Sequence, residues 1–262
     1  MNLKKPKIIA IANQKGGVGK TTTAVNLATA LAALDKKVLL IDLDSQGNAT
    51  ISFGLKRAAK ENSSYTVLTG ESRLSESVLP TNVPSLEVLP SSMELGGIDM
   101  ELGQKDSPQF ELKKVLTDDA LHYDYIFIDC PPAVGLLTVN ALVAAQYILI
   151  PIQCEYLALE GVADLVKTVE RIRKNFNASL QINGFVLTMF DTRSRLSASV
   201  AEDVRRFFGH RVYDTIIPRN VRIPEAPSHG KPVLLYDWKS TGAQAYIRLA
   251  SEFLKREKGA FE

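Results

Sequence analysis

Two lysines, three glycines and two threonines stand together near the start of the chain, in residues 15–22 (KGGVGKTT). Glycines lack a β-carbon, so the backbone of such a loop can curl around an anion and turn its N–H groups towards it. The lysine and threonine that follow supply a cation for phosphate oxygens and a hydroxyl for a divalent cation. The segment therefore predicts a phosphate-binding loop.

The residues on either side place this loop between a strand and a helix. Residues 7–12 (KIIAIA) form a short apolar run that predicts a buried strand, and residues 23–32 have the alanine-rich pattern of a helix. A helix that begins at the loop adds the positive end of its dipole to the bound anion. Strand, glycine loop and helix together favour a nucleotide-binding P-loop over a chance glycine-rich turn.

Each position of the loop then has an expected role. Lys20 should reach the β- and γ-phosphates, and the Thr21 hydroxyl should bind Mg²⁺. Gln14 occupies the position where the usual motif has its first glycine. The other expected phosphate ligands are Gly16, Gly17, Val18, Gly19 and Thr22.

Lys15 narrows the class of P-loop protein that the sequence predicts, because a phosphate-binding loop needs only one lysine. The string from Asn13 to Thr23 (NQKGGVGKTTT) resembles the deviant Walker A motif of ParA/Soj-type partition ATPases. Their superfamily includes MinD cell-division ATPases, arsenical-pump ATPases and nitrogenase iron proteins. The resemblance implies an ATP-dependent homodimer in which Lys15 contacts the phosphates bound by the partner subunit. A second cation at the γ-phosphate would neutralise charge that otherwise keeps two ATP-loaded subunits apart.

Two aspartates follow the next predicted strand, residues 38–41 (VLLI). Ligands in an open α/β sheet lie beyond the carboxyl ends of the strands, so Asp42 and Asp44 should emerge beside the P-loop. By resemblance, Asp44 positions the attacking water, while Asp42 braces the P-loop or the water shell of the metal. A purely structural role for Asp42, as the cap of a turn, stays open. Ser45 replaces a proline of the family pattern.

A third aspartate ends another apolar run, residues 125–128 (YIFI). This is a Walker B arrangement, in which Asp129 reaches Mg²⁺ through water. Almost any apolar strand that ends in aspartate fits the pattern, so the prediction depends on the P-loop. Thr21 and Asp129 are the expected metal-site residues.

The resemblance to Soj-type chains extends roughly from residue 7 to residue 255. It continues through four later blocks in the same order, residues 147–156, 158–161, 186–193 and 216–232. In that family a Pro-Arg-Asn segment closes over the adenine. The resemblance therefore implies adenine contacts for Pro218 and Asn220.

Bulk charge does not identify a nucleic-acid partner, since the formal net charge is only +2. Basic residues are frequent between 191 and 231, and most are arginines, which suit phosphate geometry. A normally solvated mixed surface is the alternative interpretation. The resemblance implies non-specific double-stranded DNA binding by the ATP dimer and a centromere-binding partner of the ParB/Spo0J type. The implied DNA contacts are Arg193 and Arg222, with Arg219, Lys231, Arg248 and Lys255 as weaker candidates.

Composition and patterning predict one α/β domain over residues 1–262, with a doubly wound, mostly parallel sheet flanked by helices. The chain has 262 residues of which 45% are hydrophobic, enough for one large core. Residues 86–90 predict an edge strand, and residues 161–176, 197–208 and 241–258 have helical spacing. Residues 56–64 predict a surface loop and residues 96–108 a loop or broken helix.

The same sequence favours a cytoplasmic, nucleoid-associated protein without membrane contact. It has no 18-residue apolar run and no apolar signal region at its start. Cys130 and Cys154 are expected to be buried and reduced, and the three histidines suggest no metal site.

Three other functions share the predicted nucleotide site. A MinD-like cell-division ATPase needs an amphipathic membrane anchor, and residues 252–262 offer few apolar anchors. A nitrogenase-like reductase needs cluster-ligating cysteines from each subunit. A metabolic ligase would use the arginine-rich loops to bind a small acid, and stimulation of the ATPase by DNA would argue against it.

Overall fold

A seven-stranded β-sheet forms the centre of the molecule, with strand order β3-β4-β2-β5-β1-β6-β7. The computed structural model of the chain describes residues 5–58, 61–118, 122–156 and 158–259. The strands are β1 (Lys7–Ile11), β2 (Val38–Asp42), β3 (Leu79–Pro80), β4 (Leu86–Leu89), β5 (Tyr125–Asp129), β6 (Tyr147–Gln153) and β7 (Gln181–Thr188).

All neighbouring strands are parallel except β3, which runs antiparallel to β4. The predicted mostly parallel, doubly wound sheet is therefore confirmed. The prediction that residues 86–90 form an edge strand is wrong, since β4 pairs with β2 on one side and with β3 on the other. With only two residues and a proline, β3 is too short to show a strand pattern in the sequence.

Helices cover both faces of the sheet. The α-helices are α1 (Lys20–Ala32), α2 (Asn48–Ile51), α3 (Ser64–Thr69), α4 (Leu74–Ser77), α5 (Ile98–Leu102), α6 (Glu111–Asp118), α7 (Leu136–Ala144), α8 (Ala158–Asn175), α9 (Arg195–Phe208), α10 (Arg222–Glu225), α11 (Val233–Tyr236) and α12 (Thr241–Gly259). Short 3₁₀ turns cover Met93–Gly97, Pro108–Phe110, Gly209–Arg211 and Ala226–His229.

Alternate residues of the central strands belong to two separate hydrophobic cores. Ile9 of β1 packs in the core that contains α1 and α12, whereas Ile8 packs in the core that contains α7 and α8. Strands buried on both faces are apolar throughout, which explains why they read as continuous runs rather than alternating patterns. Because β1, β2 and β5 run parallel, their carboxyl ends lie together at one edge of the sheet.

Several predicted element boundaries shift by a few residues. Helix α8 begins at Ala158 and α9 begins at Arg195, where the Ser194 hydroxyl accepts a hydrogen bond from Ser197 N at 3.2 Å. Residues 59–60 of the predicted surface loop, and residues 260–262 of the tail, lie outside the described residues. Cys130 and Cys154 are buried and free, as predicted. No helix in the described ranges is long and apolar enough to span a membrane.

Candidate nucleotide-binding site

The glycine loop between β1 and α1 has the backbone of an anion cradle. Gly17 has φ of +75° and Gly19 has φ of +90°, so both occupy the left-handed region that favours glycine. Helix α1 begins directly after, at Lys20, with Gly19 as its N-cap residue. The N–H groups of the first helical turn, Lys20 to Thr22, therefore lie at the loop, where they can donate to phosphate oxygens.

Side chains from outside the loop hold it in place. The Thr188 hydroxyl at the end of β7 donates to Val18 O at 2.8 Å. Asn13 Nδ2 donates to Pro151 O of β6 at 2.7 Å, and Asn13 Oδ1 accepts from Lys15 N at 3.0 Å. The sequence pattern did not single out Asn13 or Thr188 for this bracing. Their polarity at the ends of apolar strands is the only signal that could have identified them.

Lys20 lies beneath the loop and is almost fully buried, with 7% of its surface exposed. Its Nζ donates to Lys15 O at 3.0 Å. Burial lowers the pKa of Lys20, and the nearby charge of Asp129 opposes that change. The structure thus places a cation under the backbone cradle, where phosphate charge would replace the solvation that burial has removed.

Lys15 has a different environment, because its side chain is 41% exposed and its Nζ forms an ion pair with Glu155. Glu155 lies two residues beyond the end of β6. The two lysines of one loop therefore face different surroundings, one buried below the cradle and one at the surface. The predicted bridging role requires Lys15 to exchange Glu155 for the phosphates of a second subunit.

Asp129 at the end of β5 is fully buried, and neither of its carboxylate oxygens has a hydrogen-bond partner in the described part of the chain. Burial raises the pKa of Asp129 well above its usual value, and the negative charge of Asp42 raises it further. The Thr21 side chain lies close enough to oppose this rise, although no hydrogen bond of good geometry joins the two groups.

This orphaned carboxylate fits the predicted magnesium site. A buried polar atom without a partner usually marks a missing ion or water, and hard carboxylate and hydroxyl oxygens are what Mg²⁺ prefers. The described residues contain no cluster of three or more His, Cys, Asp or Glu side chains suited to a metal. Thr21 and Asp129 would therefore need oxygens from a phosphate or from water to complete the site.

Asp42 at the end of β2 holds the turn that follows it. Its carboxylate accepts hydrogen bonds from Thr50 N at 2.8 Å, from the Thr50 hydroxyl at 2.7 Å and from Asp44 N at 3.2 Å. Burial raises the pKa of Asp42 to about 6, although the hydrogen bonds from Thr50 act in the opposite direction. These contacts correspond to the turn-capping role that the sequence left open for Asp42.

Asp44 lies half-buried on that turn, two residues beyond the end of β2. Its Oδ1 accepts from Gln46 N at 3.0 Å, and its carbonyl accepts from Gly47 N at 2.8 Å. The Ser91 hydroxyl also donates to Asp44 O, and Ser91 N donates to the Thr50 hydroxyl at 3.0 Å. The carboxylate is thus held on a braced turn beside the buried pair Asp42 and Asp129.

A cleft of about 240 Å³ opens beside the first turn of α1. Its lining residues are Thr21, Thr22, Val25, Asn26, Asn48, Ile51, Ser52, Ile223, Pro227, Lys231, Pro232 and Val233. Pro218 and Asn220 do not line it. Asn220 Nδ2 donates to the Thr241 hydroxyl at 2.8 Å, and Pro218 pairs with Phe190 beyond the end of β7. The adenine contacts implied for Pro218 and Asn220 stay a prediction.

Two of the predicted DNA-binding arginines, Arg193 and Arg222, are paired with carboxylates of the same chain. Arg193 Nε and Nη2 donate to the two oxygens of Asp191 at 3.0 Å each, and this guanidinium lowers the pKa of Asp191 to about 2. Arg222 pairs with Glu225 at 2.9 Å and with Asp237 at 3.5 Å.

These arginines are exposed and lie on neighbouring segments of the chain. Arg219 N donates to Phe190 O at 2.9 Å, which places Arg219 beside the segment that contains Arg193. Arg222 N donates to Asn220 Oδ1 at 2.9 Å on the same loop. We call this region, comprising Arg193, Arg219 and Arg222, the arginine surface. Lys231 is exposed at the rim of the cleft described above.

Taken together, the parallel sheet, the glycine loop at a strand–helix junction and the aspartates at the ends of β2 and β5 define a nucleotide-binding protein of the P-loop class. Comparison with known proteins narrows this class. A family model described as an AAA domain matches residues 6–182.

Two curated relatives are chromosome-partitioning and sporulation proteins. The chromosome partitioning protein ParA of Caulobacter vibrioides is 50% identical over 96% of this chain and 95% of its own. The sporulation initiation inhibitor protein Soj of Bacillus subtilis is 50% identical over 94% of this chain and 97% of its own. The chain belongs to the ParA/Soj family of chromosome-partitioning proteins, as the sequence resemblance predicted.

Among solved structures, cobyrinic acid a,c-diamide synthase from Mycobacterium smegmatis, with bound ADP and magnesium, is similar with a TM-score of 0.85. It is 33% identical, over 97% of this chain and 96% of that one. This chain, which belongs to a partition-protein family, thus shares its fold with a synthase, so the fold alone does not distinguish the two functions.

Proposed function

We propose that this protein is a Mg²⁺-dependent ATPase that forms an ATP-dependent sandwich dimer, binds double-stranded DNA non-specifically and drives chromosome or plasmid segregation. The observation that carries the proposal is the contrast between the two loop lysines. Lys20 is buried beneath the phosphate cradle, whereas Lys15 is exposed and ion-paired at its rim. This contrast supports a role for Lys20 at the nucleotide of its own subunit and a role for Lys15 at the nucleotide of a partner.

The nucleotide is bound by the loop backbone, the first turn of α1 and the Lys20 side chain. Amide N–H groups of residues 16–22 donate to the α-, β- and γ-phosphates, and Lys20 neutralises part of their charge. Thr21, and Asp129 through a water, would hold Mg²⁺, and that ion would supply positive charge at the γ-phosphate. Pro218 and Asn220 contact the adenine.

The dimer forms when Lys15 leaves Glu155 and reaches the γ-phosphate bound by the partner subunit. Because an exposed ion pair is worth only about 0–1 kcal/mol, exchange of Glu155 for a triphosphate is favourable. The same exchange couples dimerisation to the presence of the γ-phosphate, since ADP has less negative charge to offer. Hydrolysis therefore releases the partner.

Hydrolysis depends on Asp44. Its carboxylate is held on the turn braced by Asp42 and Thr50, and a water hydrogen-bonded to Asp44 is aligned for attack on the γ-phosphate. A fixed turn keeps that water in line and lowers the entropic cost of reaching the transition state.

DNA binding is a property of the dimer, because two arginine surfaces on one rigid body bind a duplex far better than either alone. Phosphates of the duplex exchange with the carboxylates that hold Arg193 and Arg222 in the free chain. Arg219 and Lys231 add further positive charge. A centromere-binding protein of the ParB/Spo0J type accelerates hydrolysis and so releases the DNA. Because the ATP dimer binds DNA, the protein is located at the nucleoid in the cytoplasm.

One measurement tests the proposal most directly. ATP hydrolysis is compared without additions, with duplex DNA, and with duplex DNA plus the cognate centromere-binding protein. Stimulation by DNA and by that partner is expected. If the rate of ATP hydrolysis does not change with DNA but increases with a small carboxylic acid, the protein is instead a ligase, similar in function to cobyrinic acid a,c-diamide synthase. Turnover that responds to anionic vesicles would identify the MinD-like alternative.

A further inference from the structure

Trp238 is the only tryptophan of the chain and 61% of its surface is exposed. It lies two residues beyond the end of α11, on the segment that leads into α12. A large indole ring left in solvent loses the apolar burial that normally accounts for the presence of tryptophan. Exposed aromatic rings of this kind are enriched where a protein meets a partner.

The position of Trp238 connects it to the arginine surface. Arg222 Nε forms an ion pair with Oδ2 of Asp237, the residue immediately before Trp238, at 3.5 Å. Lys239, the residue immediately after, places its Nζ 5.5 Å from the centre of the indole ring. An ammonium therefore lies over the ring, and the residue before the ring is paired with the Arg222 guanidinium.

The backbone that carries the ring is well fixed. Gln244 Nε2 of α12 donates to Trp238 O at 2.8 Å, and Asp237 N donates to Val233 O at 2.9 Å. The Ser240 hydroxyl donates to Asp237 O at 2.8 Å. Because these bonds hold the main chain, the indole is presented from a rigid support and loses little entropy when it binds.

The charges around the ring decide which partner it fits. The two nearby carboxylates, Glu225 and Asp237, are both engaged with Arg222. Lys239 forms no ion pair with a carboxylate in the part of the chain that the structure describes. An exposed aromatic ring with a cation over it, one residue from the partner of a guanidinium, suits a polyanion that also offers apolar surface, as the sugars and base edges of DNA do.

We propose that Trp238 is a DNA-contacting residue, whose indole lies against the sugar and base edges next to the phosphates bound by Arg222 and Lys239. This inference rests on the proposed function and adds to it a contact that is not electrostatic. Phosphate contacts release counterions and so weaken steeply with salt, whereas an apolar contact does not. Part of the DNA affinity should therefore persist at high salt.

Titrations against salt separate the two kinds of contact. Trp238→Ala should weaken duplex binding at least about fivefold at every salt concentration, leaving the slope of log affinity against log salt unchanged. Arg222→Ala should lower that slope by about one. Leu34→Ala, an exposed apolar side chain beyond the far end of α1, serves as the matched control and should change neither quantity. A Trp238→Ala protein that binds like wild type, with native circular dichroism, would overturn the inference.

The ring itself reports its contact, because emission of the wild-type protein comes from this one tryptophan. With ATP and Mg²⁺ present, addition of duplex DNA should quench or shift the emission, and Trp238→Phe gives the background signal. DNA binding seen by mobility shift without any change in emission would refute the contact while leaving the proposed function intact. Absence of all DNA binding would instead contradict the proposed function.

Two other binding partners of Trp238, a second copy of the chain and a lipid surface, would give different changes in tryptophan emission. If ATP and Mg²⁺ alone change the emission and DNA adds nothing, a second copy of the chain covers Trp238. If anionic phosphatidylglycerol vesicles change it and DNA does not, the ring contacts lipid. Either result overturns the assignment to DNA.

Discussion

Asp42 and Asp129 are partners in the parallel register of β2 and β5, and both end their strands fully buried. Asp42 has hydrogen bonds from Thr50 and Asp44, whereas the Asp129 oxygens have none in the described residues. Two neighbouring carboxylates in a buried site disfavour ionisation of both. The pair therefore stores an unfavourable charge interaction that a bound cation would relieve.

Replacement of Asp129 should change ATP hydrolysis and the free energy of unfolding in opposite directions. Asp129→Asn should stabilise the nucleotide-free protein by about 1–3 kcal/mol at neutral pH or above, because it removes an unpartnered buried carboxylate. The same change should abolish Mg²⁺-dependent ATP hydrolysis. Urea unfolding in EDTA and turnover in Mg²⁺ check the two effects. A loss of stability in EDTA would mean that Asp129 has a structural partner in the free protein.

Lys15→Ala should leave ATP binding to the monomer intact and prevent ATP-dependent dimerisation. Lys20 and the loop amides still hold the nucleotide, but no cation crosses to the partner. Light scattering with ATP and Mg²⁺ measures the change. Glu155→Gln is the informative companion, because release of Lys15 from its ion pair should let dimers form at a lower ATP concentration. Dimers of normal size in Lys15→Ala would contradict the bridging role.

Asp44→Ala should reduce ATP turnover by about 10²-fold or more and leave the ATP dimer bound to DNA. The carboxylate that aligns the attacking water is lost, while the nucleotide contacts of the P-loop remain. Ser45→Ala on the same turn is the matched control, since it removes a side chain without removing a carboxylate. Unchanged turnover in Asp44→Ala would exclude the residue from catalysis.

Arg222→Glu should weaken duplex binding strongly and leave dimerisation unchanged. A mobility shift measured over a salt series should also show a shallower slope than wild type. Arg173→Glu on α8 is the control, because Arg173 is likewise exposed and paired with a glutamate three positions away. Equal losses in the two variants would indicate a general charge effect rather than a contact at Arg222.

Glu252 of α12 should stabilise the fold above its ordinary pKa and not below it. Burial acts to raise the pKa of Glu252, but hydrogen bonds from Asp214 N and Thr215 N and the charge of Arg256 outweigh it and lower that pKa. Because the folded-state pKa is the lower one, the stabilisation is present above about pH 4.5 and is lost as the pH falls further. Glu252→Gln should lose about 1–2 kcal/mol of stability at pH 7 and almost none near pH 3. Urea unfolding at both pH values tests this, and equal losses would contradict it.

The central strands and the P-loop could be predicted from the sequence because local pattern determines them. Buried parallel strands are continuous apolar runs, and the glycines of the loop are required by positive φ at Gly17 and Gly19. Asp42 and Asp129 could be assigned to strand ends for the same reason, since each ends an apolar run.

The contacts between distant segments could not be predicted, because no local pattern encodes them. The pairing of Lys15 with Glu155 joins residues far apart in the chain, as does the bond from Thr188 to Val18. The exposure of Trp238 is also hidden from sequence, since tryptophan is more often read as a core residue. Strand β3 could not be predicted either, because its two residues are a strand only through their pairing with β4.

Gly54 and Gly230 approach each other so closely that a β-carbon on Gly54 would lie 3.1 Å from Gly230 O. Gly54 follows α2, the helix that leads out of the Asp44 turn, and Gly230 follows the segment that contains Arg222. With main chain against main chain and no side chain to yield between them, displacement of one peptide pushes directly on the other. The turn that carries Asp44 and the segment that carries Arg222 therefore meet at a contact of main chain against main chain, where no side chain can absorb a shift of either segment.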